Sequence, residues 1–231
     1  MIGPALAGRL AVLALATVLV GGCGDAATPT DPASTGPTFT GSSGDPTTPT
    51  PASTPDIGAV LRGDWRRVPF DPRGEATVVR LEAACHAAEP AIEGLPVALV
   101  DARGRGRLLL VYATDPTSAA FECRAGVDFA SVGDVVVRRL QASGEPIAED
   151  AIDVLEYETA ELGGEVATVA VGRVGALAAK VIASLFDETV VYGSRGGGWW
   201  AMWWPGTTPV GGIGATDTHN LVIGTVVPEL P

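Results

Sequence analysis

A mainly β fold is predicted: a small antiparallel β domain, or two small β modules, with short helical pieces. Three features point there. Apolar runs between residues 75 and 227 are strand-length and end at Gly, Pro or Asp turns. Residues 177–185 alternate strictly, with Leu177, Ala179, Val181, Ala183 and Leu185 on one side. Glycine is abundant, with 30 residues, and falls between the runs rather than after helix-length segments.

Taken in order, residues 75–81 read as a short strand and 82–89 as a turn of helix. A strand over 96–101 meets the tight turn Arg103-Gly104-Arg105-Gly106, and an apolar strand follows over 107–113. After Thr114-Asp115-Pro116 comes a strand over 120–125 that carries Cys123. Runs at 133–140 and 152–158 have charged breaks and read less clearly as strands. Residues 165–173 form the next strand, then 177–186, an acidic turn at Asp187-Glu188, and 189–192. A glycine-rich 194–198 leads into 199–204, and 221–227 closes the domain. Residues 57–231 suffice for one core, or for modules 57–141 and 151–231 divided near 142–150.

The preceding segment has a different composition. Residues 1–22 hold one charge, Arg9, before an apolar run over 10–20. That run is shorter than the roughly 20 residues a spanning helix needs, and it suits the core of a secretory signal. Val20-Gly21-Gly22-Cys23 resembles the lipobox of bacterial lipoproteins. The resemblance implies cleavage before Cys23, lipidation of its sulfur, palmitate as an added chain, and a protein tethered to the outer face of the plasma membrane. Two or more acyl chains anchor firmly where one does not. Residues 23–56 then form the lipidated cysteine and a spacer. Nine Thr and seven Pro lie within 24–56 with no basic residue, a composition that cannot recover its ordering entropy. Such a tract reaches about 35 Å as a coil and about 100 Å extended.

With Cys23 assigned to lipid, Cys85 and Cys123 remain. An extracytoplasmic setting permits their oxidation, and a disulfide is expected between them, with two buried free thiols as the alternative. Closing that loop is worth about 4 kcal/mol by chain entropy. The spacing excludes a CxxC redox pair. A Cys85–His86 nucleophile is disfavoured because a disulfide consumes the thiol.

The passage GGGWWAMWWPG places four of the five tryptophans in six residues. In an extended strand Trp199, Ala201 and Trp203 face one way, and Trp200, Met202 and Trp204 the other. One face can enter a core, while the other needs a cover. Core packing, a partner or ligand surface, and membrane contact are all open. Trp199, Trp200, Trp203 and Trp204 are therefore the candidate binding surface. Residues 181–187, 189–192 and Trp203-Trp204-Pro205-Gly206 resemble a C-terminal module of actinobacterial membrane-associated and secreted proteins. That resemblance implies a fold and no activity.

Signals for chemistry are weak. The formal charge is −12, which does not suit nucleic acid or an anionic surface. Only His86 and His219 are present, and Asp217-Thr218-His219 fits a surface turn better than a ligand pair. Ser194 lacks a GxSxG context, and neither 196–198 nor 211–214 matches a phosphate loop. Glu145, Glu149, Asp150 and Asp153 look like a solvated acidic turn. No catalytic residue, metal ligand or cofactor is assigned. The expected role is a non-catalytic envelope lipoprotein, a binding or structural module. Its partners would be membrane lipid through Cys23 and a cell-wall component or envelope protein. The rival is an envelope hydrolase using Glu149, Asp150 or Asp217.

Overall fold

The computed structural model describes residues 63–127, 131–142, 144–162 and 164–228. Cys23, the signal segment 1–22 and the tract 24–56 lie outside them.

Among the described residues the chain forms one α-helix and twelve strands in antiparallel pairings, a mainly β domain as the sequence predicts. Helix α1 spans Ala76–Ala88, and a 3-10 turn follows at Pro90–Ile92. The first sheet is β1 (Val97–Ala102), β2 (Arg107–Tyr112), β3 (Ala120–Val127) and β4 (Val132–Leu140), in that order. The second sheet orders β5 (Ile152–Leu162), β6 (Glu165–Val174), β10 (Trp199–Pro205) and β9 (Ser194–Gly196). The third orders β12 (Val222–Val226), β11 (Val210–Thr216), β7 (Lys180–Leu185) and β8 (Val190–Tyr192).

Three apolar clusters show how these elements stack. Val78, Leu81 and Cys85 of α1 pack on Val100, Leu108, Leu110, Tyr112 and Cys123 of the first sheet. The opposite face of that sheet, through Leu99, Leu109 and Val111, packs on Val169, Val171, Trp199, Ala201 and Trp203 of the second. The second sheet's other face, through Ala170, Trp200, Met202 and Trp204, packs on Val181, Ala183, Ile213 and Ala215 of the third. The order is helix, sheet, sheet, sheet. A sheet covered on both faces needs apolar residues at both parities. That is why β2 reads RLLLVY and β10 reads WWAMWWP without alternation.

One expectation from the sequence is corrected, and one strand is added. Residues 75–81 are not a strand, because α1 begins at Ala76 and runs unbroken to Ala88. Val78, Leu81 and Cys85 recur at helical spacing and make its buried stripe. The glycine-rich stretch around 211–214 is strand β11, paired with both β7 and β12. Glycine weakens a strand locally, and here Ile213 and Ala215 supply the buried face between glycines.

The β9–β10 hairpin explains the glycines before the tryptophans. Gly197 and Gly198 both have positive φ, 58° and 81°. Two successive left-handed residues are what a two-residue hairpin turn of this hand requires.

Candidate functional site

Cys85 on α1 and Cys123 on β3 form a disulfide with their Cα atoms 6.2 Å apart. Both are fully buried. The bond fastens the helix to the sheet it covers.

The four tryptophans of the candidate surface lie in the core, one of the readings the sequence left open. Trp199, Trp200 and Trp203 are 0% exposed and Trp204 is 1% exposed. The alternation of faces holds, but each face is covered by another sheet of the same chain. Trp199 Nε1 donates to the Asp115 carbonyl at 3.3 Å, and Trp204 Nε1 to the Thr208 carbonyl at 2.9 Å. Trp200 Nε1 donates to the carbonyls of Asp153 and Arg173, both at 3.1 Å. Rings bonded this way are interior supports and leave no platform for a ligand. Trp65 sits edge-on to Trp203, 6.4 Å between centroids, and donates to its carbonyl.

The carboxylates singled out in the sequence serve the backbone or sit at the surface. Asp217 accepts from the backbone N–H groups of His219 and Leu221, at 2.8 and 2.9 Å, and these bonds hold its carboxyl below the usual range. His219 Nδ1 lies 3.6 Å from Asp217, with its side chain 82% exposed. Asp153 binds the Arg173 guanidinium through two nitrogens. Glu145, Glu149 and Asp150 are exposed turn residues. Ser194 is buried in β9, paired with Ala201. Among the described residues no group of three His, Cys, Asp or Glu converges to hold a metal.

The most unusual electrostatics lie between the first and second sheets, at positions the sequence reading passed over. Five charged side chains meet there: Glu122 and Arg124 from β3, Arg138 from β4, and Glu156 and Glu158 from β5. Arg124 Nη1 is 3.1 Å from Glu122, and Arg124 Nη2 bonds Glu158. Arg138 reaches Glu156 at 3.4 Å and Glu158 at 2.7 Å. Glu122 and Arg124 are each 1% exposed.

A local irregularity in β5 makes the meeting geometrically available. Val154 pairs with Gly172, but Glu156 pairs with the adjacent Val171, so β5 carries a bulge at Leu155. A bulge shifts which residues face which side. Val154 and Tyr157 pack toward the third sheet, while Leu155 packs toward the first. Glu156 and Glu158, opposite the inward Val171 and Val169, follow Leu155 to that side.

Three carboxyls facing two guanidiniums leave one negative charge uncompensated in a seam whose inner members, Glu122 and Arg124, are buried and whose outer member, Arg138, reaches solvent. Burial first, then the charges of Glu156 and Glu158, push the Glu122 carboxyl up to about 8 against the pull of Arg124. Burial alone would lower the Arg124 guanidinium. The carboxylates of Glu122, Glu158 and Glu156 outweigh it and raise it instead. Beside the seam is an open groove of about 500 Å³, lined by Arg138, Arg139, Leu140, Gln141, Leu155 and Glu156. The sequence signal for this cluster is two short patterns, Glu122-x-Arg124 and Glu156-x-Glu158. Each puts two charges on one face of a strand. Nothing in either pattern says that the two strands oppose each other.

A shallow trough of about 430 Å³ lies on the third sheet, where Gly212 and Gly214 leave space beside Ile182, Val222, Thr225 and Val227. Val222 and Val227 are exposed, as is Phe186 at the end of β7.

Comparison with protein-family models, with curated proteins and with solved structures found no match.

Proposed function

We propose that this chain is a non-catalytic lipoprotein of the cell envelope. Lipid on Cys23 holds it at the outer face of the plasma membrane, residues 24–56 act as a spacer, and the β domain is a structural or binding module. A cell-wall component or another envelope protein is the partner class in keeping with that position, and the acidic charge does not suit nucleic acid. The observation that carries the reading is the order of features. An apolar run ends in Val20-Gly21-Gly22-Cys23, a Thr/Pro tract follows, and the domain beyond it contains the Cys85–Cys123 disulfide. A buried disulfide suits an oxidising compartment.

The charges of the domain also favour a non-catalytic role. Asp101–Arg103, Glu122–Arg124 and Asp153–Arg173 are paired in or near the interior. Asp217 spends its carboxylate on a turn, so the hydrolase reading on Glu149, Asp150 or Asp217 draws no support from their geometry.

The test is metabolic labelling with an alkyne fatty acid followed by membrane fractionation. Wild type should take up label and sediment with membranes. Cys23→Ser should lose the label and move to the soluble fraction. A wild-type protein that is secreted without label would overturn the anchor.

A further inference from the structure

We propose that Glu122 and Glu156 share a single proton, and that this proton is a pH-operated latch holding β5 of the second sheet against β3 and β4 of the first. The proposal does not depend on the lipid anchor.

Geometry carries it. Glu122 Oε2 and Glu156 Oε1 are both buried and accept no well-formed hydrogen bond; the Arg138 Nε lies 3.4 Å from Glu156 Oε1, an ion-pair contact only. The two side chains belong to one chain of contacts, Glu122 to Arg124 to Glu158 to Arg138 to Glu156, and the Glu156 carboxyl acts on that of Glu122. Two ionised carboxylates cannot bond, since both are acceptors only, whereas a carboxylic acid and a carboxylate can. One proton therefore supplies the missing donor and removes the uncompensated charge. Closely spaced carboxyls hold a common proton for the same reason.

The two cations bonded within this network are already engaged. Beside Glu122 on β4 stands Arg138, and beside it on β2 stands Val111. Arg124 is already engaged by Glu122 and Glu158, and Arg138 by Glu156 and Glu158. From β6, the inward residues opposite Glu156 and Glu158 are Val171 and Val169. The charged groups of the network are thus Glu122, Arg124, Arg138, Glu156 and Glu158; on the same face of β2 the buried Arg107 pairs instead with Glu165. The bulge at Leu155 aims Glu156 into this seam while Tyr157 stays with the third sheet.

The direction of the response follows from linkage. The Glu122 carboxyl has a higher pKa folded than unfolded, so the folded state binds more protons in the intervening range. The contribution is complete below the ordinary carboxylate range. It declines as pH rises, and it is lost once pH passes about 8. For one proton, the folding constant falls by up to about tenfold per pH unit across that window. Carboxyls with depressed values, such as Asp217 and Glu165, act with the opposite sign and at lower pH.

The test is urea unfolding of the full-length protein at a series of pH values from about 5 to about 9, for wild type and for Glu122→Gln and Glu156→Gln. Glutamine keeps the shape, supplies a donor and cannot ionise. The wild-type folding constant should fall across the range, and either variant should flatten that fall. Parallel wild-type and variant profiles would overturn the proposal. If the variants do not fold, infrared spectra of the wild-type protein in D₂O decide the matter. A protonated-carboxyl band should persist near neutral pH and vanish above about 8, and its absence at neutral pH would sink the latch. Hydrogen exchange, corrected for intrinsic rates, should locate the opening. Protection of β4 and β5 should fall at alkaline pH while that of β7 holds, and uniform loss over all strands would rule out a latch confined to this seam.

Discussion

Asp101 and Arg103 are both fully buried, two positions apart at the end of β1, and joined through both carboxylate oxygens at 2.7 Å. The remaining guanidinium donors reach the carbonyls of Arg67, at 2.9 Å, and Tyr192. Tyr192 belongs to the third sheet and Asp101 to the first, so one side chain ties two sheets that have the second between them. Its charge is costly to bury and is tolerated because every partner is present. Asp101→Asn leaves the cation without its anion, and a loss of about 3–5 kcal/mol in urea unfolding is expected. A change under about 1 kcal/mol would mean the junction is held by other contacts. Arg107 is a contrasting case. It lies over the Trp203 ring at 5.3 Å and pairs with Glu165. Burial lowers its guanidinium, with Glu165 opposing that effect. None of these pairings was legible in the sequence, where Asp101 and Arg103 looked like a strand end and its turn. The i, i+2 spacing shows that two side chains share a face, but only the tertiary fold shows that the face is interior.

The elements were legible in proportion to how local their causes are. Strands bounded by Gly, Pro or Asp turns, such as β2, β3, β6 and β10, match their sequence patterns closely. Their two-sided burial is the end product of stacking, yet it leaves a readable trace as unbroken apolar runs. The first half of α1 was misread because Thr77-Val78-Val79 is β-branched, a local preference that packing on the first sheet overrides. Strand β11 was missed because its glycines have weak strand preference, while its pairing on both sides comes from β7 and β12. The Cys85–Cys123 pair was found by counting cysteines, and it fastens the helix through its second half, which the sequence did read as helical. Reducing it should cost about 2–4 kcal/mol. Unfolding curves of the full-length protein with and without reductant measure this, and α1 should lose exchange protection before β6 and β10 do. Equal curves would mean that the packing of Val78 and Leu81 alone holds the helix.

At the scale of the whole molecule, the arrangement depends on a second sheet whose central strands are buried over 167–174 and 199–204. β6 and β10 lie between β5 and β9 in the sheet, and between two other sheets across it. Tryptophan suits β10 because a large ring fills the space between sheets, and its N–H can bond a carbonyl at the rim. Gly172 on β6 is the matching concession. A Cβ there would lie 1.9 Å from the Asp153 carbonyl oxygen and 2.9 Å from a ring carbon of Trp200. The sequence showed that both faces of 199–204 are aromatic and that one needed a cover. It could not show that the cover is a third sheet of the same chain, since that depends on contacts far apart in sequence. The stacking makes a sharp optical prediction. With Trp65 changed to Phe, the four β10 tryptophans dominate the emission of the full-length protein. Four rings at 1% exposure or less should give blue-shifted fluorescence that acrylamide quenches poorly, changing to red-shifted and readily quenched emission in denaturant. Red-shifted, easily quenched emission before denaturant is added would mean that one face of β10 is open. The third sheet would then be a movable cover, and the tryptophans would return as the surface on which a partner binds.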